Sequence, residues 1–274
     1  MIDPVEGLFA WQLRLQAIDI PVLRQTVNHL ARLGADPDAV DAQQLTEVIL
    51  DDPLMTLRLL IDASALRSHR SGRIVTEMET VTAAVLMIGI TSFYERYAVL
   101  PVLEERLADD AHALQAVRKL IRRGARAARF ASAFCAQRQD PDVAVVYEAV
   151  LLHDFAELLL WVGHPDLGRQ IEARHREHRT AGVTAAQRDV MGFSLAELGQ
   201  ALMVNWSLPV VLRRLSRDGE GEADGQVRMA RLAVRFARHT ESGWSHPALI
   251  NDLKELAQLL NLSLSATRAL AQGI

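Results

Sequence analysis

The spacing of the apolar residues is the strongest constraint on the fold of this chain. They recur three and four positions apart over most of its length, as at Val27 and Leu30 in segment 21–33. Alternating runs typical of strands are rare, and residues 143–147 fit a helix better than a strand. The pattern therefore predicts an all-α protein.

Capping and breaking residues divide this pattern into successive helices. Asp52 is the predicted N-cap of a helix that begins at Pro53, and Gly89 marks a break between two others. A helix predicted over about 141–162 is apolar nearly all round, so we expect it at the centre of a lobe. Other predicted helices span about 42–50, 109–137, 165–178, 184–189, 194–205, 209–215 and 227–239.

The length of 274 residues is enough for one or two domains. We predict an N-terminal helical lobe over residues 1–107 and a second helical lobe over 108–240. Further helices over 241–274 are expected to pack on the second lobe. An acidic stretch at 218–225 predicts a flexible loop.

Composition argues against several classes of protein. Half of the residues are apolar, but the longest apolar run, 83–90, is much shorter than the ~20 residues that span a bilayer, so no membrane insertion is expected. The formal net charge of −4 argues against bulk affinity for nucleic acid. The single cysteine, Cys135, excludes internal disulfides, which fits a cytoplasmic protein.

The residues with the clearest chemical character form a doublet, His153-Asp154, inside the apolar stretch 141–162. Burying an imidazole or a carboxylate without a partner costs several kcal/mol, so partners or a metal are expected beside them. The doublet offers one nitrogen and one oxygen ligand, whereas a hydrolytic metal site needs at least three protein ligands and an open position. The doublet alone therefore does not define a metal centre.

Four stretches of sequence, taken in their order and spacing, resemble a known family. They are 45–60, around Asp52-Pro53-Leu54; 80–89; 149–154, which ends in the doublet; and 196–209, which ends in Trp206-Ser207-Leu208-Pro209. The doublet resembles that of HD-type metal phosphohydrolases. The wider pattern, over about residues 17–240, resembles their output-domain relatives, the HDOD domains. The resemblance implies a multi-helix HDOD fold whose second lobe is HD-like.

The chain departs from the HD-type pattern at the positions that would supply further metal ligands. The resemblance places a histidine on the helix before the doublet, where this chain has Arg123 and Gly124, and another at Leu195. A His-His pair is replaced by the stretch Arg213-Arg214-Leu215-Ser216-Arg217. The resemblance therefore implies a degenerate HD site without catalytic residues, metal or cofactor, in which the doublet fixes helix packing.

A basic stripe lies on the predicted helix 109–137. Its four arginines fall within a sector of about 80° on a helical wheel, and two further cations adjoin them. The members are Arg118, Arg122, Arg126 and Arg129, with Lys119 and Arg123 beside them. One interpretation is a solvated face balanced by acidic residues such as Glu104, Glu105, Asp109 and Asp110. The other is a dock for an acidic protein surface, a phosphorylated protein or a nucleotide second messenger.

The resemblance implies a bacterial signalling protein without enzymatic activity, which relays a signal through contacts with other proteins. In members of the family, the HDOD domain is often joined to a receiver or cyclic-di-GMP-turnover domain. For this chain, the expected partner is a separate receiver or cyclic-di-GMP-turnover protein. Two alternatives stay open: an anion- or nucleotide-binding module that uses the basic stripe, and a residual metal-dependent phosphohydrolase. Binding to DNA is disfavoured because no helix-turn-helix pattern accompanies the stripe.

Overall fold

The computed structural model describes residues 7–36, 39–69, 80–217, 225–241 and 243–274. Within these ranges the secondary structure is helical, and one isolated parallel bridge pairs Val22 with Val102. The predicted all-α class is confirmed. No helix in these ranges is both long and apolar enough to cross a membrane. Residues 218–224 of the predicted acidic loop lie outside the described residues.

The helices follow one another with short connections. In chain order they are α1 (Leu8–Gln16), α2 (Arg24–Leu33), α3 (Ala42–Leu50), α4 (Pro53–His69), α5 (Val81–Ile88), α6 (Ile90–Arg96), α7 (Leu103–Arg106), α8 (Ala111–Arg138), α9 (Val143–Leu151), α10 (Phe155–Gly163), α11 (Pro165–Glu177), α12 (Gly182–Met191), α13 (Leu195–Asn205), α14 (Val210–Leu215), α15 (Gly225–His239), α16 (Leu249–Leu260) and α17 (Leu264–Gln272). A 3-10 turn, Arg179–Ala181, precedes α12.

Contacts group the chain into two compact units. The first unit consists of the chain up to residue 76 together with 81–120 and 154–208, and the second contains 121–153 and 209–274. Helix α8 runs from the first unit into the second. The boundaries of these units differ from those of the predicted parts 1–107, 108–240 and 241–274. The predicted division stays a prediction.

In the first unit, one buried carboxylate organises the junction between α3 and α4. Asp52 immediately precedes α4, as predicted, and is fully buried. Its Oδ1 accepts the backbone N–H groups of Leu54 and Met55 at 2.9 and 3.3 Å, which caps α4. Its Oδ2 accepts the N–H of Leu23 and the hydroxyl of Thr26 at 2.7 and 2.8 Å, which ties α4 to the start of α2. Burial raises the pKa of this carboxyl, and the four hydrogen bonds oppose that rise.

Helix α10 lies among several helices of the first unit. Nearly all of its residues are buried, and it contacts α1, α4, α11 and α13. Its Trp161 ring stacks on the His112 ring, with centroids 5.6 Å apart, and lies against the backbone of α11 at Gly168. The absence of a side chain at Gly168 is what lets α11 approach this indole so closely.

The second unit is built around α9 and the later part of α8. Helix α9 contacts α14 and α15, and most of its residues are buried. Three phenylalanines, Phe130 and Phe134 of α8 and Phe236 of α15, form an aromatic cluster with ring centroids 5.4–5.7 Å apart. This cluster fixes α15 against α8 and therefore fixes the face that α8 leaves to solvent.

Candidate functional site

The doublet lies in a turn, so the prediction of one continuous helix over 141–162 is wrong at this point. Helix α9 ends at Leu151 and α10 begins at Phe155. Asp154 is the N-cap residue of α10, and its carbonyl accepts the N–H groups of Glu157 and Leu158, both at 3.1 Å. Aspartate is disfavoured inside helices, which agrees with the break at this point although apolar residues continue on both sides.

The turn also changes how the two polar side chains are accommodated. His153 and Asp154 are half-buried, whereas the flanking helices are buried over most of their length. The Asp154 carboxylate makes no capping hydrogen bond to α10. The doublet is therefore not enclosed in an apolar helix, and its burial is less costly than the sequence alone suggests.

The position at which the resemblance places a histidine on α8 is closely packed. Gly124 is buried, and a Cβ atom added to it would lie 3.1 Å from the carbonyl oxygen of Leu151, at the end of α9. Both residues belong to the second unit. A side chain at Gly124 would meet backbone rather than a flexible side chain, so α8 and α9 would have to shift apart by a few tenths of an ångström.

The other departures from the HD-type pattern also have structural roles. Leu195 is buried at the start of α13, and its N–H donates to Gln187 Oε1 at 3.0 Å. Leu215 is buried on α14, and the Ser216 hydroxyl donates to the Ala149 carbonyl at 3.4 Å. In the part of the chain that the structure describes, no group of three or more His, Cys, Asp or Glu side chains is placed to hold a metal ion.

The members of the basic stripe differ in exposure and contacts, so they do not form one surface. Arg118 is exposed, and its Nη2 lies 3.5 Å from Glu104 Oε1, one of the acidic neighbours predicted to balance the stripe. Arg126 is half-buried, and its Nη1 donates to the Thr240 carbonyl at 2.8 Å. The Arg126 guanidinium also lies over the Phe130 ring, 5.5 Å from its centroid. Arg126 therefore links α8 to the end of α15 and is a structural residue.

The remaining members of the basic stripe differ in exposure. Arg122 and Arg129 are exposed in the second unit, and Arg123 is half-buried there. Lys119 is exposed in the first unit. Arg122 and Arg129 lie two helical turns apart on one continuous helix. They are therefore the members of the stripe best placed to contact a partner protein that binds to the second unit.

A cluster of charged residues between α15 and α16 was not predicted from the sequence. Asp252 is buried; its Oδ1 lies 3.0 Å from Arg235 Nε and its Oδ2 lies 2.5 Å from His239 Nδ1. Arg235 also pairs with Glu255, and the His239 ring stacks on His246 with centroids 4.5 Å apart. The four-residue spacing of Arg235 and His239 could have indicated this cluster, because it places both side chains on one face of a helix.

The sequence model of the HDOD domain family matches residues 20–218 of the chain. Among proteins with curated functions, none matches the sequence. Solved structures of three bacterial proteins are similar in fold, at 15–21% sequence identity.

The first of these structures is the MmoQ response regulator of Methylococcus capsulatus, 21% identical, with a TM-score of 0.69 over 93% of this chain and 98% of that one. The second is a virulence factor of Campylobacter jejuni, 15% identical, with a TM-score of 0.66 over 97% and 93% of the two chains. An HDOD domain protein of Geobacter sulfurreducens is 16% identical, with a TM-score of 0.50 over 97% and 95%. At these identities the similarity concerns the fold.

Proposed function

The chain belongs to the HDOD domain family, and from this premise we propose that it is a non-catalytic regulatory module of bacterial signal transduction that acts through protein contacts. The family assignment confirms the resemblance inferred from the sequence. A response regulator among the structures of similar fold agrees with a signalling role. A receiver or cyclic-di-GMP-turnover protein of the cytoplasm is the partner we propose.

The non-catalytic proposal rests on which residues stand at the positions where an HD-type site would have metal ligands. Gly124 lies tightly against the backbone of α9, Leu195 is a buried packing residue, and the stretch 213–217 holds arginines, a leucine and a serine in place of a His-His pair. Neither these positions nor Arg123 offers an ordinary ligand for a hydrolytic metal, so the doublet is what remains of the HD-type ligand pattern. Two ligands are fewer than a hydrolytic metal requires.

We expect the purified protein, incubated with Mn²⁺, Fe²⁺ or Zn²⁺ and then desalted, to retain less than about one-tenth of a metal ion per chain. Hydrolysis of bis-p-nitrophenyl phosphate is expected to stay at the buffer rate with each metal. Metal content is measured by plasma mass spectrometry on the wild type and on His153→Ala. Stoichiometric metal in the wild type that disappears in His153→Ala would establish the residual phosphohydrolase alternative instead.

The protein-contact proposal is tested at the exposed end of the basic stripe. We expect the double charge reversal Arg122→Glu and Arg129→Glu to weaken binding of an acidic partner at least tenfold, because two attractive charges become repulsive. Arg126 is left unchanged, since reversing it would break its bond to the Thr240 carbonyl and disturb the fold. The partner is captured from the native cell, identified by mass spectrometry and then titrated as a purified protein.

The matched control reverses two exposed arginines elsewhere, Arg32→Glu and Arg176→Glu, on α2 and α11. This control changes the net charge equally and is expected to leave the affinity within about twofold of the wild type. An equal loss of affinity in both double variants would mean that net charge causes the effect, and the basic stripe would then be only a solvated face. Saturable binding of cyclic di-GMP that is lost only in the Arg122 and Arg129 variant would favour the nucleotide-binding alternative.

A further inference from the structure

Helix α5 of the first unit has an apolar side that faces solvent. The helix contains no charged residue, and Thr82 is its one polar residue. Val81, Ala84 and Val85 are buried, and the helix contacts α3, α4 and α6. Leu86, however, has 68% of its surface exposed. A helix that is apolar all round is ordinarily buried all round, so this side of α5 is suited to a further contact.

Leu86 belongs to a seam of three residues on that side. Ala83, Leu86 and Met87 are spaced three and four positions apart, which places them on one face of the helix. Ala83 and Met87 are half-buried. Ridges with this spacing are the ones that interlock when two helices pack side by side. A single exposed leucine needs no explanation, whereas an apolar seam beside a groove is typical of a protein interface.

A groove with a volume of about 450 Å³ adjoins the seam. It lies between the end of α4, the end of α5 and α6, and Met87 belongs to both the seam and the groove. Sites for small molecules occupy about 300–1,000 Å³, so this groove has room for more than one side chain. Its lining is apolar on one side and polar on the other: Leu66, Met87, Ile88, Ser92, Glu95 and Arg96.

The polar side of the groove carries charges of both signs. Glu95 is exposed, and the Arg96 side chain is 40% exposed, with Nη1 3.9 Å from Asp62 Oδ2. An acidic partner would bring a like charge to Glu95, and a basic partner would bring a like charge to Arg96. A second copy of the chain, related by a two-fold axis, can match both charges, because Glu95 of each copy then faces Arg96 of the other.

We propose that this face of α5 binds a second copy of the chain in a two-fold symmetric dimer. Leu86 of each copy enters the groove of the other beside Met87, and the Glu95 and Arg96 side chains pair across the contact. The projecting leucine and the groove lie on the same molecule, so a contact without two-fold closure would leave one of each unused and extend into open chains. The proposal goes beyond the proposed function, which concerns α8 in the second unit.

The expected dimer is weak. An eight-residue helix is about 12 Å long, so the contact is small beside the ~800 Å² per partner of a stable interface. We expect a dissociation constant on the order of 10–100 µM. Sedimentation velocity of the full chain, at roughly 1–300 µM and about 0.15 M salt, measures it.

Leu86→Glu is expected to weaken self-association at least tenfold, because it places a carboxylate in the apolar centre of the contact. Leu86 is largely exposed, so the variant is expected to fold. The matched control is Phe9→Glu on α1, which removes a side chain of equal exposure, 69%, from the same unit and changes the net charge equally. We expect its self-association to stay within about twofold of the wild type.

A charge exchange tests whether the occupant is a second copy. Glu95→Arg and Arg96→Glu each place like charges opposite one another in their own dimers, and each is expected to associate about fivefold more weakly than the wild type. Mixed in equal amounts, the two variants regain both pairs of opposite charges. The mixture is therefore expected to associate within about twofold of the wild type, a recovery that no foreign partner would produce.

Four results would each overturn the proposal: a monomer at all concentrations, undiminished association of Leu86→Glu, an equal loss in Phe9→Glu, and no recovery in the mixture. A monomer at all concentrations would leave the seam to a different protein or to another segment of the same chain. Circular dichroism shows whether each variant is folded. The metal and partner experiments concern other residues, so failure here leaves the proposed function unaffected.

Discussion

Replacing Asp52 with alanine is expected to lower the free energy of unfolding by about 4 kcal/mol. The substitution removes the acceptor for three backbone N–H groups and for the hydroxyl of Thr26, all in a site that is closed to water. It leaves those donors unsatisfied and opens a small cavity at the start of α4. Urea unfolding followed by circular dichroism measures the change.

The matched control is Asp41→Ala, which removes another N-cap aspartate. Asp41 caps α3 through Gln44 N–H at 2.8 Å, but the bond lies at an exposed helix end where water can replace the lost acceptor. We expect a loss of about 1 kcal/mol there. Equal losses in the two variants would show that Asp52 acts only as a helix cap and does not tie α4 to α2.

The pH dependence of Asp52 gives a second measurement on the same residue. Burial raises its pKa in the folded protein above the ordinary value of 3.8, so the neutral form is favoured by folding. The resulting stability is present below pH 3.8 and is lost as the pH rises through the folded-state pKa. The stability advantage of the wild type over Asp52→Asn is therefore expected to shrink as the pH rises from 3.

Local sequence signals predicted the helix boundaries well where a capping residue forms its hydrogen bonds. The bounds of α3 agree with the prediction of 42–50, and α13 begins after Ser194, whose hydroxyl accepts the N–H of Glu197. The break before α10 was missed because apolar residues continue on both sides of the doublet and no glycine or proline marks the turn. A continuous apolar pattern cannot distinguish one buried helix from two.

In the candidate site too, features formed by neighbouring residues could be predicted, whereas contacts between residues far apart in the sequence could not. The doublet and the basic stripe could be read from neighbouring residues, but the role of Arg126 depends on a carbonyl 114 positions away. In the first unit, one cleft is lined by Gln16 of α1, Arg58 of α4 and Trp206 after α13, which are far apart in the sequence. Helical periodicity predicts which face of each helix is apolar, but not which helices meet.

The approach of α10 and α11 leads to the second large effect, which we expect at a glycine. A Cβ atom added to Gly168 would lie 2.6–2.8 Å from three atoms of the Trp161 indole. That ring is buried and stacked on His112, so it cannot move aside without disturbing both helices. Gly168→Ala is expected to lower the free energy of unfolding by about 3 kcal/mol, measured in urea, although alanine favours helix by about 1 kcal/mol.

Gly163→Ala is the matched control for Gly168→Ala because its added Cβ would also come within contact distance, 2.5 Å from Ile18 Cδ1. That atom is the far end of a half-buried, flexible side chain, and a change of rotamer relieves the contact. We therefore expect Gly163→Ala to change stability by less than about 1 kcal/mol. Similar losses in both variants would mean that the Trp161 indole yields as readily as Ile18.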